Sequence, residues 1–163
     1  MKQIEIAVTL NGRPQHWSIA PGDILLDILR REGYLGAKRG CETGACGACT
    51  VLLNGKPIDA CLMFAAQANG KEILTIEGLA DGDNLHPIQE AFLDHGAVQC
   101  GYCTPGMILN TKAFLEQHAN PSEGEVRDML SGNLCRCTGY TKPVEAVMAA
   151  AHLAKSEGRG RKA

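Results

Sequence analysis

Eight cysteines fall along this chain in two sets of four, and their spacing limits the fold more than any other feature. The first set is Cys41, Cys46, Cys49 and Cys61, spaced Cys-x4-Cys-x2-Cys-x11-Cys. That is the plant-type 2Fe-2S pattern, in which one tight loop supplies three ligands and a distant residue the fourth. Gly40, Gly44 and Gly47 within GCETGACGAC (40–49) suit such a loop. Positive φ at glycine lets successive amides point inward toward electron-rich sulfide. A structural zinc site more often uses two separated Cys-x2-4-Cys knuckles. The second set is Cys100, Cys103, Cys135 and Cys137, spaced Cys-x2-Cys-x31-Cys-x1-Cys. On spacing alone it admits zinc as well as iron-sulfur. Beside a ferredoxin-type loop, a second redox centre is the better reading, since two such centres form an electron wire.

Eight cysteines in 163 residues is less than the ~8 to 10% typical of a disulfide scaffold. No apolar run reaches the ~18 residues of a membrane helix. The opening MKQIEIAVTLNG alternates like a strand and lacks the apolar block of a signal peptide. These features predict a chain that stays in a reducing cytoplasm, where thiols serve metal or redox chemistry before disulfides. A net charge of -2 gives no general attraction to nucleic acid or anionic lipid. One Trp, 3 Tyr and 3 Phe are too few for a base-stacking platform.

Periodicity divides the chain. Apolar residues at 4, 6, 8 and 10, then Asn11-Gly12 and a second strand over 15–20, predict a hairpin. Asp23 is the expected N-cap of a helix whose face is Ile24, Leu25, Ile28 and Leu29, closed by Gly33. Strands are expected at 50–53 and 57–60 around Asn54-Gly55, and at 71–76. EGLADGDN (77–84) has no apolar period and reads as a linker. Four helices follow, over 86–95, 105–118, 122–130 with Ser122 and Glu125 in capping-box spacing, and 144–154. The expected division is residues 1–77, a linker at 78–84, a helical unit over 85–155 and a frayed tail at 156–163. Units of this size are marginal without a metal staple, and each contains four cysteines.

The strings GCETGACGACTV (40–51), VQCGYCTPGMI (98–108) and GNLCRCTGY (132–140) closely resemble the small iron-sulfur subunit of the molybdenum hydroxylases, the xanthine dehydrogenase and aldehyde oxidase family. That family includes carbon monoxide dehydrogenase, and the resemblance runs from about residue 3 to 155. It implies an α+β chain: an N-terminal β-grasp ferredoxin-like domain with one 2Fe-2S cluster, then an all-α four-helix-bundle domain with a second. It also implies a large subunit holding molybdopterin and a medium subunit holding FAD, in a heterotrimer or a dimer of heterotrimers. Electrons would pass from the molybdenum-pterin centre through both clusters to FAD, and this chain would not itself act on substrate. Gln99 matches the family glutamine that contacts the pterin, and Cys137 the cluster ligand nearest it. PIDACLMFAAQANGKEILTIEGLA (57–80) leans toward purine-type dehydrogenases.

Other polar residues receive no catalytic role. His86 before Pro87 reads as a helix start, and His16, His95, His118 and His152 lack partners at metal or triad spacing. Asp81 and Asp83 belong to a turn. Arg136 either raises its cluster's potential or meets the large subunit, and Arg159, Arg161 and Lys162 read as solvated. The alternatives to the electron-transfer reading are a zinc-stabilised adaptor without redox activity and a free-standing ferredoxin shuttle.

Overall fold

The computed structural model describes residues 3–160, with side chains through Leu153. β1 (Ile4–Leu10) and β2 (Arg13–Ile19) form an antiparallel hairpin. Asn11 at φ 51° and Gly12 at φ 74° make its two-residue turn, so pairing starts at once, with Leu10 opposite Arg13. β2 therefore begins two residues before the expected 15. Ile6, Val8, Leu10, Trp17 and Ile19 are buried against α1 (Leu25–Arg31), which contributes Leu25, Leu26, Ile28 and Leu29.

Asp23 does not cap α1. Its Oδ2 instead accepts from the Ala20 amide at 2.9 Å and closes the turn ahead of the helix, and Ile24 occupies the N-cap without a side-chain bond. An Asp side chain has these two uses, turn or cap, and the Pro21-Gly22 turn claims it here.

β3 (Thr50–Leu53) and β4 (Lys56–Asp59) pair around Asn54-Gly55, again both at positive φ. β5 (Glu72–Leu74) completes the five-stranded sheet, ordered β2-β1-β5-β3-β4, with β1 and β5 parallel. β5 is shorter than the expected 71–76 because Asn11 captures Thr75. Asn11 Oδ1 accepts from the Thr75 amide at 2.8 Å, and its Nδ2 donates to Thr75 Oγ1 at 2.9 Å. The chain then turns through a 3-10 segment at Ile76–Gly78. Asn11→Gly keeps the turn's backbone freedom but orphans the fully buried Thr75. We expect it to cost about 2 kcal/mol in chemical denaturation; a neutral result would assign the Asn to the turn alone.

The second half is helical: α2 (Pro87–Asp94), α3 (Thr104–Gln117), α4 (Glu123–Leu130) and α5 (Thr141–Gly160). Ile88, Phe92, Met107, Ile108, Val126, Leu130, Val144 and Val147 form its core. His86 is the N-cap of α2, its Nδ1 accepting from the Ile88 amide at 3.2 Å. Ser122 and Glu125 form the capping box of α4. α5 begins three residues before the expected start, since Pro143 is tolerated in a first turn. It also runs on through part of the stretch expected as a tail. Residues 161–163, with Arg161 and Lys162, and the side chain of Arg159 lie outside what is described. No helix among the described residues is long and apolar enough to cross a membrane.

The two halves are not independent. Leu52 of β3 packs with Leu109 and Ala113 of α3 in a third buried cluster, which sets the β3 side of the sheet against the helices.

Candidate functional site

The loop of residues 36–49 has neither helix nor strand, and its backbone is shaped by residues in the left-handed region. Glu42 (φ 58°), Gly44 (φ 76°) and Gly47 (φ 64°) lie there. Gly40 does not. It is needed for space, because a Cβ on it would lie 2.6 Å from Cys46 Sγ. Cys41 and Cys46 are half-buried and touch, while Cys49 and Cys61 are buried and touch.

In the second set Cys100 contacts Cys137, and Cys103 contacts Cys135. Cys100 and Cys137 are exposed and Cys103 is buried. Both sets therefore present thiols as pairs. Among the described residues, no three metal-binding side chains converge on one point. Pairing is the arrangement a two-iron core requires, with two thiolates on each iron.

Donors reach the sulfurs. The Thr43 amide lies 3.4 Å from Cys41 Sγ, and the Thr138 amide and hydroxyl lie 3.5 and 3.1 Å from Cys135 Sγ. Thr43, through its hydroxyl and then its amide, holds the Cys41 thiol down at about 6. Burial pushes Cys49 and Cys103 up to about 12. Burial also pushes Cys135 upward, but its bonds to Thr138 leave it below the usual thiol value. The hydrogen bond with Cys100 raises Cys137. A buried thiol that resists ionisation gives up its proton readily to a cationic core, and amide donors then stabilise the bound thiolates.

The two loops are stitched together. Leu134 N–H donates to the Cys46 carbonyl at 2.9 Å. Asn133, fully buried, donates from Nδ2 to the Gly47 carbonyl at 2.8 Å and accepts at Oδ1 from Asn110 at 2.6 Å. Tyr102, between Cys100 and Cys103 in sequence, donates to the Arg39 carbonyl at 2.5 Å. Tyr140, at φ 67°, places its hydroxyl to accept from the Cys135 amide at 2.8 Å and donate to the Asn133 carbonyl at 3.1 Å.

Gln99 is exposed next to Cys100, so it shares the surface edge where Cys100 meets Cys137. Arg136 is exposed between Cys135 and Cys137. Asn133, Thr138 and Tyr140 carry no periodic signal: Asn133 acts on Gly47 across the chain, and Thr138 and Tyr140 bond to Cys135 within an irregular loop. The available signal was their position inside GNLCRCTGY.

Two thiol quartets, with amide donors on sulfurs in each, define an iron-sulfur protein. Residues 8–75 match the family described as 2Fe-2S iron-sulfur cluster binding domain, and residues 75–148 match the family described as 2Fe-2S binding domain. The xanthine dehydrogenase iron-sulfur-binding subunit of Escherichia coli O157:H7 is 50% identical over 150 residues, covering 89% of this chain and 92% of that one. The nicotinate dehydrogenase small FeS subunit of Eubacterium barkeri is 48% identical over 148 residues, covering 90% and 94%. The structure of quinoline 2-oxidoreductase from Pseudomonas putida 86 superposes with a TM-score of 0.91 at 43% identity, over 96% of this chain and 98% of that one. The chain belongs to the small iron-sulfur subunits of the xanthine dehydrogenase and aldehyde oxidase family, the molybdenum hydroxylases.

Proposed function

We propose that this chain is the electron-relay subunit of a molybdopterin-dependent dehydrogenase or hydroxylase. It holds one 2Fe-2S cluster on Cys41, Cys46, Cys49 and Cys61 and a second on Cys100, Cys103, Cys135 and Cys137. Each cluster supplies a one-electron carrier. The observation that carries the reading is the bonded stretch between the two quartets, from Cys46 through its carbonyl to the Leu134 amide and on to Cys135. It joins a ligand of one set to a ligand of the other without crossing solvent.

The chain divides into a ferredoxin-like β-grasp domain over 1–77, a linker at 78–84 and a helical 2Fe-2S domain over 85–155. The extents of the two family matches support that division. Gln99 and Cys137 form the edge toward the pterin on a large subunit. A medium subunit holds FAD beyond the first cluster, and the complex is a cytoplasmic heterotrimer or a dimer of heterotrimers. Its substrate is a purine or another N-heterocycle, an aromatic or an aldehyde, and relatives are named for xanthine, nicotinate and aldehyde. With two thiolate-bound 2Fe-2S cores, the formal charge of -2 becomes about -6, so partners meet a more acidic face than composition suggests.

The purified native protein should contain about four iron and four acid-labile sulfide per chain and give two distinguishable reduced 2Fe-2S EPR signals. A colourless protein with bound zinc would overturn the reading in favour of a structural adaptor. A native particle no larger than one chain by size-exclusion would overturn the complex.

A further inference from the structure

Three carboxylates bear on the loop of the first cysteine quartet, and two of them share one cation. Arg39 forms ion pairs with both Asp27 and Glu42. Asp59 is the third, and among the described residues it has no ion pair. Its place is fixed by the sheet: it is the last residue of β4, opposite Thr50 at the start of β3, one residue past Cys49. Its Oδ1 lies 3.5 Å from Cys49 Sγ, in a part-buried contact where the thiol donates. Its Oδ2 lies 3.6 Å from the position a Cβ on Gly44 would take, so the carboxylate reaches over the glycine loop.

When Cys49 becomes an iron-bound thiolate, the thiol proton is gone. An unpaired carboxylate then faces an electron-rich sulfur with no hydrogen between them. Resting on the ligand assignment above, we propose that Asp59 is a positioning residue for charge that lowers the reduction potential of the first cluster. The reaction it biases is the transfer of one electron to the first cluster from the reduced second cluster, which is thereby reoxidised, with no bond made or broken. The added electron raises the negative charge of the cluster beside a fixed negative charge. In a part-buried site that repulsion is weakly screened, and net charge near the sulfurs is one of the factors that sets such potentials.

The test is an EPR-monitored redox titration of the intact complex carrying Asp59→Asn, Asp59→Ser or, as a control for an already paired carboxylate, Glu42→Gln. Removing the Asp59 charge should favour the reduced first cluster by roughly tenfold, an upward shift of about 59 mV for one electron. The second cluster is the internal reference and should not move, and Glu42→Gln, at a side chain more exposed to solvent and facing Arg39, should shift the first midpoint by clearly less than either Asp59 variant. A first-cluster midpoint unmoved in both Asp59 variants overturns the proposal, as does an equal shift of both clusters. Failure of both variants to load the first centre in a correctly folded chain also overturns it, because a tuning charge is not needed for loading. If the unaltered complex lacks the first signal, the ligand assignment itself has failed.

Discussion

Cys103→Ser should remove one of the two reduced 2Fe-2S EPR signals and about half of the iron, while the other signal keeps its shape. Cys103 is buried at 7% exposure, packs in the helical core and stands at the N-cap of α3. A serine there offers a poor ligand in a site already desolvated enough to push the native thiol up to about 12. The first quartet has a core of its own, the sheet and α1, and although Asn133 and Leu134 bond to its loop, its four ligands do not depend on Cys103. Substrate-driven reduction of a terminal acceptor should then be lost, whereas direct chemical reduction of the remaining cluster persists. Iron analysis with EPR on the same sample checks both parts. Equal loss of both signals would mean that the quartets form one cooperative unit.

The second large effect reverses a propensity rule. Gly106→Ala places the best helix former inside α3, which on intrinsic preference alone should stabilise by about 1 kcal/mol. The added Cβ would instead lie 2.4 Å from the Gly47 carbonyl and 2.8 Å from Asn133 Nδ2. Both neighbours are held, since the Gly47 carbonyl also accepts from the Thr50 amide and hydroxyl. The helix must therefore withdraw from the cluster loop, at a net cost of about 2 kcal/mol or more. Gly124→Ala in α4 is the control, because its Cβ would meet only Ser122 Oγ at 3.9 Å. It should stabilise by up to about 1 kcal/mol. Thermal melts of the two variants should therefore move in opposite directions, and a shared direction would remove the close approach of α3 to the first loop from the account.

The hairpins around Asn11-Gly12 and Asn54-Gly55 were legible because a two-residue turn and a period-two strand are local facts. The helical half was legible for the same reason, with the Ser122 and Glu125 box marking one start. Chain-internal competition was not. Asp23 could serve a turn or a cap, two local uses between which the string does not choose, and β5 could run to Ile76 or stop where Asn11, far away in sequence, takes Thr75. At the candidate site, spacing grouped the eight cysteines and picked out Gly44 and Gly47 for their backbone. For Gly40 it assigned the wrong reason, because the space taken by Cys46 Sγ cannot be read from a string. Asn133 and Asp59 were invisible for a related reason: each matters through a partner more than two residues away in sequence, Gly47 for one and Cys49 for the other.

The uneven depth of the second quartet bears on how long the unassembled chain lasts. Cys103 lies under the helices while Cys100 and Cys137 stand at the surface. A cluster held there has one iron shielded and one facing solvent, within reach of dioxygen and chelators until a neighbouring subunit covers it. Bleaching of the lone subunit in air should begin at this edge, and co-expression with its partners becomes a matter of shelf life as much as of activity.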